Sequence, residues 1–200
     1  AANLFDRQDY EKAGKVLSQI ERKNLYKNQI DEYLFITAYC DLQNGMLQSA
    51  TDKLIELTAR PVTDFTAPAE YVLAYIKYEM KDFHSALGWF EKSASDSRFT
   101  ENASWYIMEC RFMMKDYTYV VANADRLYSS VPEERRPHLA RIISESYLVL
   151  GDAESARKYY DLNTTADASK SRADWFYSGS LLYAVEDYKG AIDNYNMMPM

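Results

Sequence analysis

The stretch Asp187-Tyr188-Lys189-Gly190-Ala191 is one of six variants of a single short pattern. The other five begin at Asp9, Gly45, Asp82, Asp116 and Gly151. Their small closing residues, with Ala191, stand at 13, 50, 86, 120, 156 and 191, so successive separations are 37, 36, 34, 36 and 35. Self-similarity at a near-fixed period marks a stack of repeated units. Each variant reads as a tight turn between two helices. Asp accepts hydrogen bonds from the free amides at a helix start, and Gly tolerates the left-handed backbone at a helix end. The aromatic or apolar residue that follows packs at the turn. The small residue three positions later lets the second helix approach the first. Val120 is the enlarged case and predicts a looser pair there. Beyond each turn the apolar residues recur at spacings of three and four, as in Ala13, Leu17 and Ile20, or Ala191, Tyr195 and Met198. That is the stripe of an amphipathic helix.

Bulk composition agrees. Of 200 residues, 48% are apolar, which excludes a disordered chain. Only 6 Gly and 5 Pro are present, too few for the turns of an all-β protein. The 18 Tyr suit half-buried packing and binding surfaces, since each has a flat apolar face and a polar tip. The net charge of −7 and the lack of any Lys/Arg block argue against a nucleic-acid partner. No run approaches the roughly 20 apolar residues of a membrane span. With neither an initiator Met nor a signal peptide, the chain reads as a processed protein or a fragment of a longer repeat protein.

The residues at the repeated slots resemble the tetratricopeptide repeat family along nearly the whole chain. In the last unit Trp175, Gly179, Tyr188, Ala191 and Tyr195 fall in that family's register. The fifth supplies Tyr147, Gly151, Ala156 and Tyr160, and the third Ala74, Phe83, Ala86 and Phe90. The fourth has Met108, Tyr117 and Pro132 but departs at Val120; the second has Ala38, Gly45, Ala50 and Leu54. The resemblance implies an all-α, right-handed superhelical solenoid of about six antiparallel helix pairs. A single domain over 1–200 follows, with units of about 1–29, 30–65, 66–99, 100–135, 136–170 and 171–200. Segments Arg60–Pro68 and Leu162–Arg172 read as surface connections.

In such stacks the first helices line the inner face, and the resemblance places ligand-facing slots on them. Carried over, the slots give Phe35, Tyr39 and Gln43, then Tyr71, Tyr75 and Tyr78. The fourth unit gives Asn102, Trp105, Glu109 and Phe112; the fifth His138, Arg141 and Glu145; the sixth Phe176, Ser180 and Tyr183. The family's carboxylate clamp of Lys, Arg and Asn is absent, and most slots are aromatic. Expected partner-binding residues are therefore Phe35, Tyr39, Tyr71, Tyr75, Tyr78, Trp105, Phe112, Arg141, Phe176 and Tyr183. An aromatic groove suits an extended apolar segment or an amphipathic helix. The competing reading of each ring is packing between neighbouring repeats.

Cys40 and Cys110 share one slot two repeats apart, beyond the ~7 Å reach of a disulfide, and read as buried thiols. The two histidines, His84 and His138, lie near neither cysteine in sequence, so no metal site is expected. No phosphate loop or nucleophile elbow occurs, and acidic pairs such as Glu133-Glu134 read as solvated helix starts. No catalytic residue, cofactor or enzymatic activity is expected. The expected function is a protein-interaction scaffold that holds a peptide or partner protein on an aromatic face. The alternative is a structural spacer or assembly segment of a larger envelope or signalling protein, with end-to-end self-association. General likeness to long repeat proteins of Gram-negative envelopes favours the periplasm or cell envelope over the cytoplasm.

Overall fold

A computed structural model describes residues 4–5, 7–162 and 170–199. Among these residues there are twelve α-helices and no strand. In chain order they are α1 (Tyr10–Leu17), α2 (Ile30–Gln43), α3 (Leu47–Thr58), α4 (Thr66–Glu79), α5 (Phe83–Ser93) and α6 (Thr100–Met113). Then follow α7 (Tyr117–Ala122), α8 (Ala124–Ser130), α9 (Arg136–Val149), α10 (Ala153–Tyr160), α11 (Arg172–Ala184) and α12 (Tyr188–Asn196). The chain divides into two compact units, Ala1–Cys110 and Arg111–Met200. In the first, α2 pairs with α3 and α4 with α5, while α3 packs on α4 across the repeat boundary. In the second, α9 pairs with α10 and α11 with α12.

All six turns share one backbone solution. Gln8, Gly45, Lys81, Lys115, Gly151 and Glu186 have positive φ, between 60° and 86°. The next residue donates its amide to a carbonyl five positions back, as from Asp82 to Lys77 (2.9 Å) and from Asp187 to Leu182 (2.9 Å). The left-handed residue itself bonds three back, as from Lys81 to Tyr78 (2.8 Å). These two bonds close the end of the first helix. The second helix then starts at once. Asp9, Asp82, Asp116, Asp152 and Asp187 are its N-caps, each accepting from the amide three residues on. In the second repeat Met46 holds that place with no side-chain cap.

Four residues beyond each cap position lies the small residue, and Ala13, Ala50, Ala86, Val120, Ala156 and Ala191 are all buried. Ring pairs close three of the turns: Tyr78–Phe83 at 5.7 Å, Phe112–Tyr117 at 5.9 Å and Tyr183–Tyr188 at 5.5 Å. Close approach is sharpest in the last pair, where a Cβ on Gly179 would fall 2.6 Å from the Tyr195 ring. Polar contacts between repeats span about one period: Asn44 Nδ2 donates to the Tyr10 carbonyl, Arg98 Nη2 to the Asp64 carbonyl, and Tyr159 hydroxyl to Asp125. Within each unit, neighbouring repeats therefore lean on one another.

Two expectations need adjustment. The connection after Arg60 ends at Phe65, because α4 begins at Thr66 and takes Pro68 into its first turn. Proline fits there since amides of the first turn have no intrahelical partner. The departure at Val120 takes the form of a broken second helix. Asn123 ends α7 and starts α8, and its side-chain amide donates to the Tyr119 carbonyl (2.9 Å). Asn commonly diverts local backbone bonding in this way. Of the connection Leu162–Arg172, residues 163–169 lie outside the described residues. Its far end is fixed by Ser171, whose hydroxyl accepts from the Asp174 amide (3.3 Å) while the Asp174 carboxylate accepts from the Ser171 amide (2.8 Å).

Backbone strain at the turns gives opposite outcomes for two substitutions. Gly151→Ala forces a Cβ onto φ +86° and should destabilise by about 1 kcal/mol. Lys115→Gly removes a Cβ at φ +64° and should stabilise by up to about 1 kcal/mol, both read from urea melts. The caps set an acid dependence. Hydrogen bonds from Ser85 hold the Asp82 carboxyl below its ordinary value, and those from Ser155 do the same for Asp152. A folded-state value below the unfolded one stabilises above the unfolded value and is lost as pH falls through the folded one. Stability should therefore fall below about pH 4, and Asp82→Asn should flatten that fall in melts across pH 5 to 2.

Candidate functional site

The first unit contains a hollow of about 390 Å³. One wall is α2, through Phe35, Tyr39, Leu42 and Gln43, spaced so that all four share one helical face. The opposite wall is α4, through Pro68, Tyr71, Val72 and Tyr75, again at intervals of three and four. Phe99, just ahead of α6, and Tyr106 on α6 complete it. None of these lining residues carries a formal charge.

The Tyr106 ring is the hub of the far wall. It stacks on buried Phe90 (centroids 4.8 Å, interplanar 3°) and meets Tyr78 at 5.1 Å, Tyr75 at 6.0 Å and Tyr71 at 6.3 Å. Tyr71 also packs on Phe99 at 5.2 Å. On the near wall Phe35 lies between Tyr39 (6.2 Å) and Phe65 (5.9 Å), and Tyr39 reaches Phe5 (5.4 Å) and Tyr10 (5.5 Å). Edge and tilted contacts of this kind fix ring orientation. Tyr75 is 38% exposed, enough to present its ring to a ligand. Burial and the Glu79 carboxylate raise its phenol above the ordinary value, which keeps it neutral at physiological pH. Tyr78 is held deeper: its hydroxyl donates to Glu109 Oε2 at 2.7 Å, and burial with that carboxylate raises its phenol as well.

Four of the ten expected partner residues, Phe35, Tyr39, Tyr71 and Tyr75, line this hollow together. Tyr78 does not line it, being turned onto Phe83 and Glu109. Trp105 is only 8% exposed and lies off the lining, whereas its neighbour Tyr106 faces the preceding repeat. One residue is a turn of about 100° on a helix, enough to exchange the two rings. In the second unit Phe112 closes the turn with Tyr117. Arg141 is engaged internally by Glu145 (3.2 Å) and Asp174 (3.6 Å), with its guanidinium 6.0 Å from the Phe112 ring. Phe176 (58% exposed) and Tyr183 (63%) lie on the last pair. Phe99 and Tyr106 were not singled out by sequence. Tyr106 could have been found by asking which rings on one first helix face back onto Phe90 and Tyr71 of the repeat before it.

Both cysteines are buried free thiols, as expected, and burial pushes the Cys110 thiol up to about 12. Among the described residues no helix is long and apolar enough to cross a membrane.

No protein-family model and no curated protein matches the sequence. The fold is similar to the crystal structure of MamA, with a TM-score of 0.64 and 14% identity over 80% of this chain and 90% of that one. It is similar also to the apo form of RapI, with a TM-score of 0.65 and 16% identity over 93% of this chain; the chain spans 57% of RapI. Both are helical solenoids of tetratricopeptide type. With the six left-handed turns and the helix pairs above, these likenesses establish the fold: the chain is a tetratricopeptide-like helical repeat.

Proposed function

We propose that the chain is a protein-interaction scaffold that holds a peptide or a segment of a partner protein in the hollow between α2 and α4. The observation that carries this reading is the convergence of Phe35, Tyr39, Tyr71 and Tyr75 on one open hollow, with Tyr75 still 38% exposed. Rigid aromatic anchors around an uncharged hollow supply large contact area at small entropic cost, the feature of binding hot spots. Affinity capture should retain a protein with the wild-type chain and lose it with Tyr75→Ala. Helicity should stay unchanged, and Val62→Ser, at an exposed position away from the hollow, should retain the partner. An identical bound set for Tyr75→Ala and wild type would count against the hollow.

A second reading, assembly through the last repeat, has its own support. Phe176, Tyr183 and Ile192 are 58%, 63% and 58% exposed. Their counterparts in the third repeat are Tyr71, Tyr78 and Leu87, and the first two both meet Tyr106 of the following repeat. The exposed side chains of the sixth pair thus match a surface that the third pair gives to its neighbour, and a second copy fits it. Light scattering should show a concentration-dependent dimer that Ile192→Asp returns to monomer. A monomer at all concentrations would remove this reading.

A further inference from the structure

Resting on the peptide-binding reading, we infer that the segment taken by the hollow is basic, and that an arginine side chain enters among the rings of Tyr39, Tyr71, Tyr75 and Tyr106. Two independent features carry this: the chemistry of the lining and the charge of the helices behind it. The lining offers ring faces, phenol hydroxyls and the Gln43 amide, with no cation to repel a guanidinium and no carboxylate to form a fixed pair. Aromatic faces attract cations through their quadrupole, and the planar guanidinium stacks on them better than an ammonium does.

The surroundings supply the long-range field. Helices α2, α4 and α6 frame the hollow and carry three, two and two Asp or Glu, against only Lys77 and Arg111. Asp31 is matched by Arg60, and Asp41 by Lys53 at 2.6 Å, both from outside these helices. Arg111 is itself matched by Asp116 at 3.0 Å. Glu70 has Lys92 within electrostatic reach. With Glu109 set aside, Glu32, Glu79 and Glu101 stand against Lys77, so the balance on the framing helices is acidic. Arg98, whose guanidinium lies 5.7 Å from the Phe99 ring, is held by Asp96 at 2.7 Å and so does not reverse that field. Glu109 stands behind the Tyr78 ring, which packs on Tyr106, so a carboxylate sits one ring back from the lining. Glu79 also reaches the Tyr75 phenol, so a carboxylate stands beside the lining itself. Acidic charge close to neutral rings steers a basic segment inward and raises its association rate. An apolar anchor would gain from the rings but nothing from the field, and an acidic segment would be repelled.

The probe is a positional library of acetylated hexapeptides in which one position is fixed as Arg, citrulline, Leu or Glu and the rest are varied. Binding of the intact chain is read by fluorescence. Citrulline keeps the shape of arginine and removes its charge. The Arg sub-library should retain at least about fivefold more protein than the citrulline one. Tyr75→Ala should reduce that ratio towards parity, while Tyr75→Phe, which keeps the ring, should preserve it. Selective retention of Leu peptides with Arg and citrulline equal would overturn the arginine inference and leave the peptide-binding reading intact. An Arg preference unmoved by Tyr75→Ala would place it on the acidic surface at large and also overturn the inference. Failure of every sub-library to bind selectively would remove both.

Discussion

The turn in which a left-handed residue is followed directly by an N-cap is the constraint on which everything else depends. It stops one helix and starts the next within two residues, so the two must run antiparallel and close together. That closeness is tolerable only because the residue four beyond the cap position is small, and Ala13, Ala50, Ala86, Ala156 and Ala191 meet the requirement. Repeated at a near-constant period, the same turn places equivalent residues of successive first helices beside each other. Phe35 and Tyr71, or Tyr39 and Tyr75, stand across from one another for this reason and not because of any direct bond between them.

The hollow is therefore a by-product of repetition that particular side chains have made specific. A generic stack would leave a shallow furrow between first helices. Here Tyr106 stacks on Phe90, reaches Tyr71 and Tyr75, and turns the furrow into a walled space. Phe90 is completely buried, so the wall rests on the core of the third repeat. The second unit uses corresponding slots differently. Arg141 stands where Phe35 and Tyr71 stand, and it is spent on Glu145 and Asp174. Burial raises the Glu145 carboxyl above its ordinary value despite the arginine, the mark of an internal polar link and not of a surface offered to a ligand.

Much of this was legible in the sequence. The caps at Asp9, Asp82, Asp116, Asp152 and Asp187 and the small residues after them are local chemistry, and local chemistry can be read from a single chain. Four of the left-handed positions were not, because Gln8, Lys81, Lys115 and Glu186 carry no glycine to announce them. The local backbone bonds on either side, such as those from Lys81 to Tyr78 and from Asp82 to Lys77, hold them there. The break at Asn123 was hidden for a similar reason: Asn is tolerated inside helices, and only its bond to the Tyr119 carbonyl reveals the interruption. At the site, register set Phe35, Tyr39, Tyr71 and Tyr75 at equivalent places on successive first helices, because it follows from the period. It did not reveal that Tyr106 lines the hollow, since which ring on that helix faces the preceding repeat depends on packing against Phe90.

The central claim is that this one hollow is where a partner segment lies. Hydroxyl-radical footprinting of the chain with and without its captured partner tests it most directly. The account predicts that Tyr39, Tyr71 and Tyr75 lose reactivity on binding while Tyr26, 76% exposed and outside the lining, keeps it. Protection confined to Phe176, Tyr183 and the last helix pair, with Tyr75 unchanged, would contradict it.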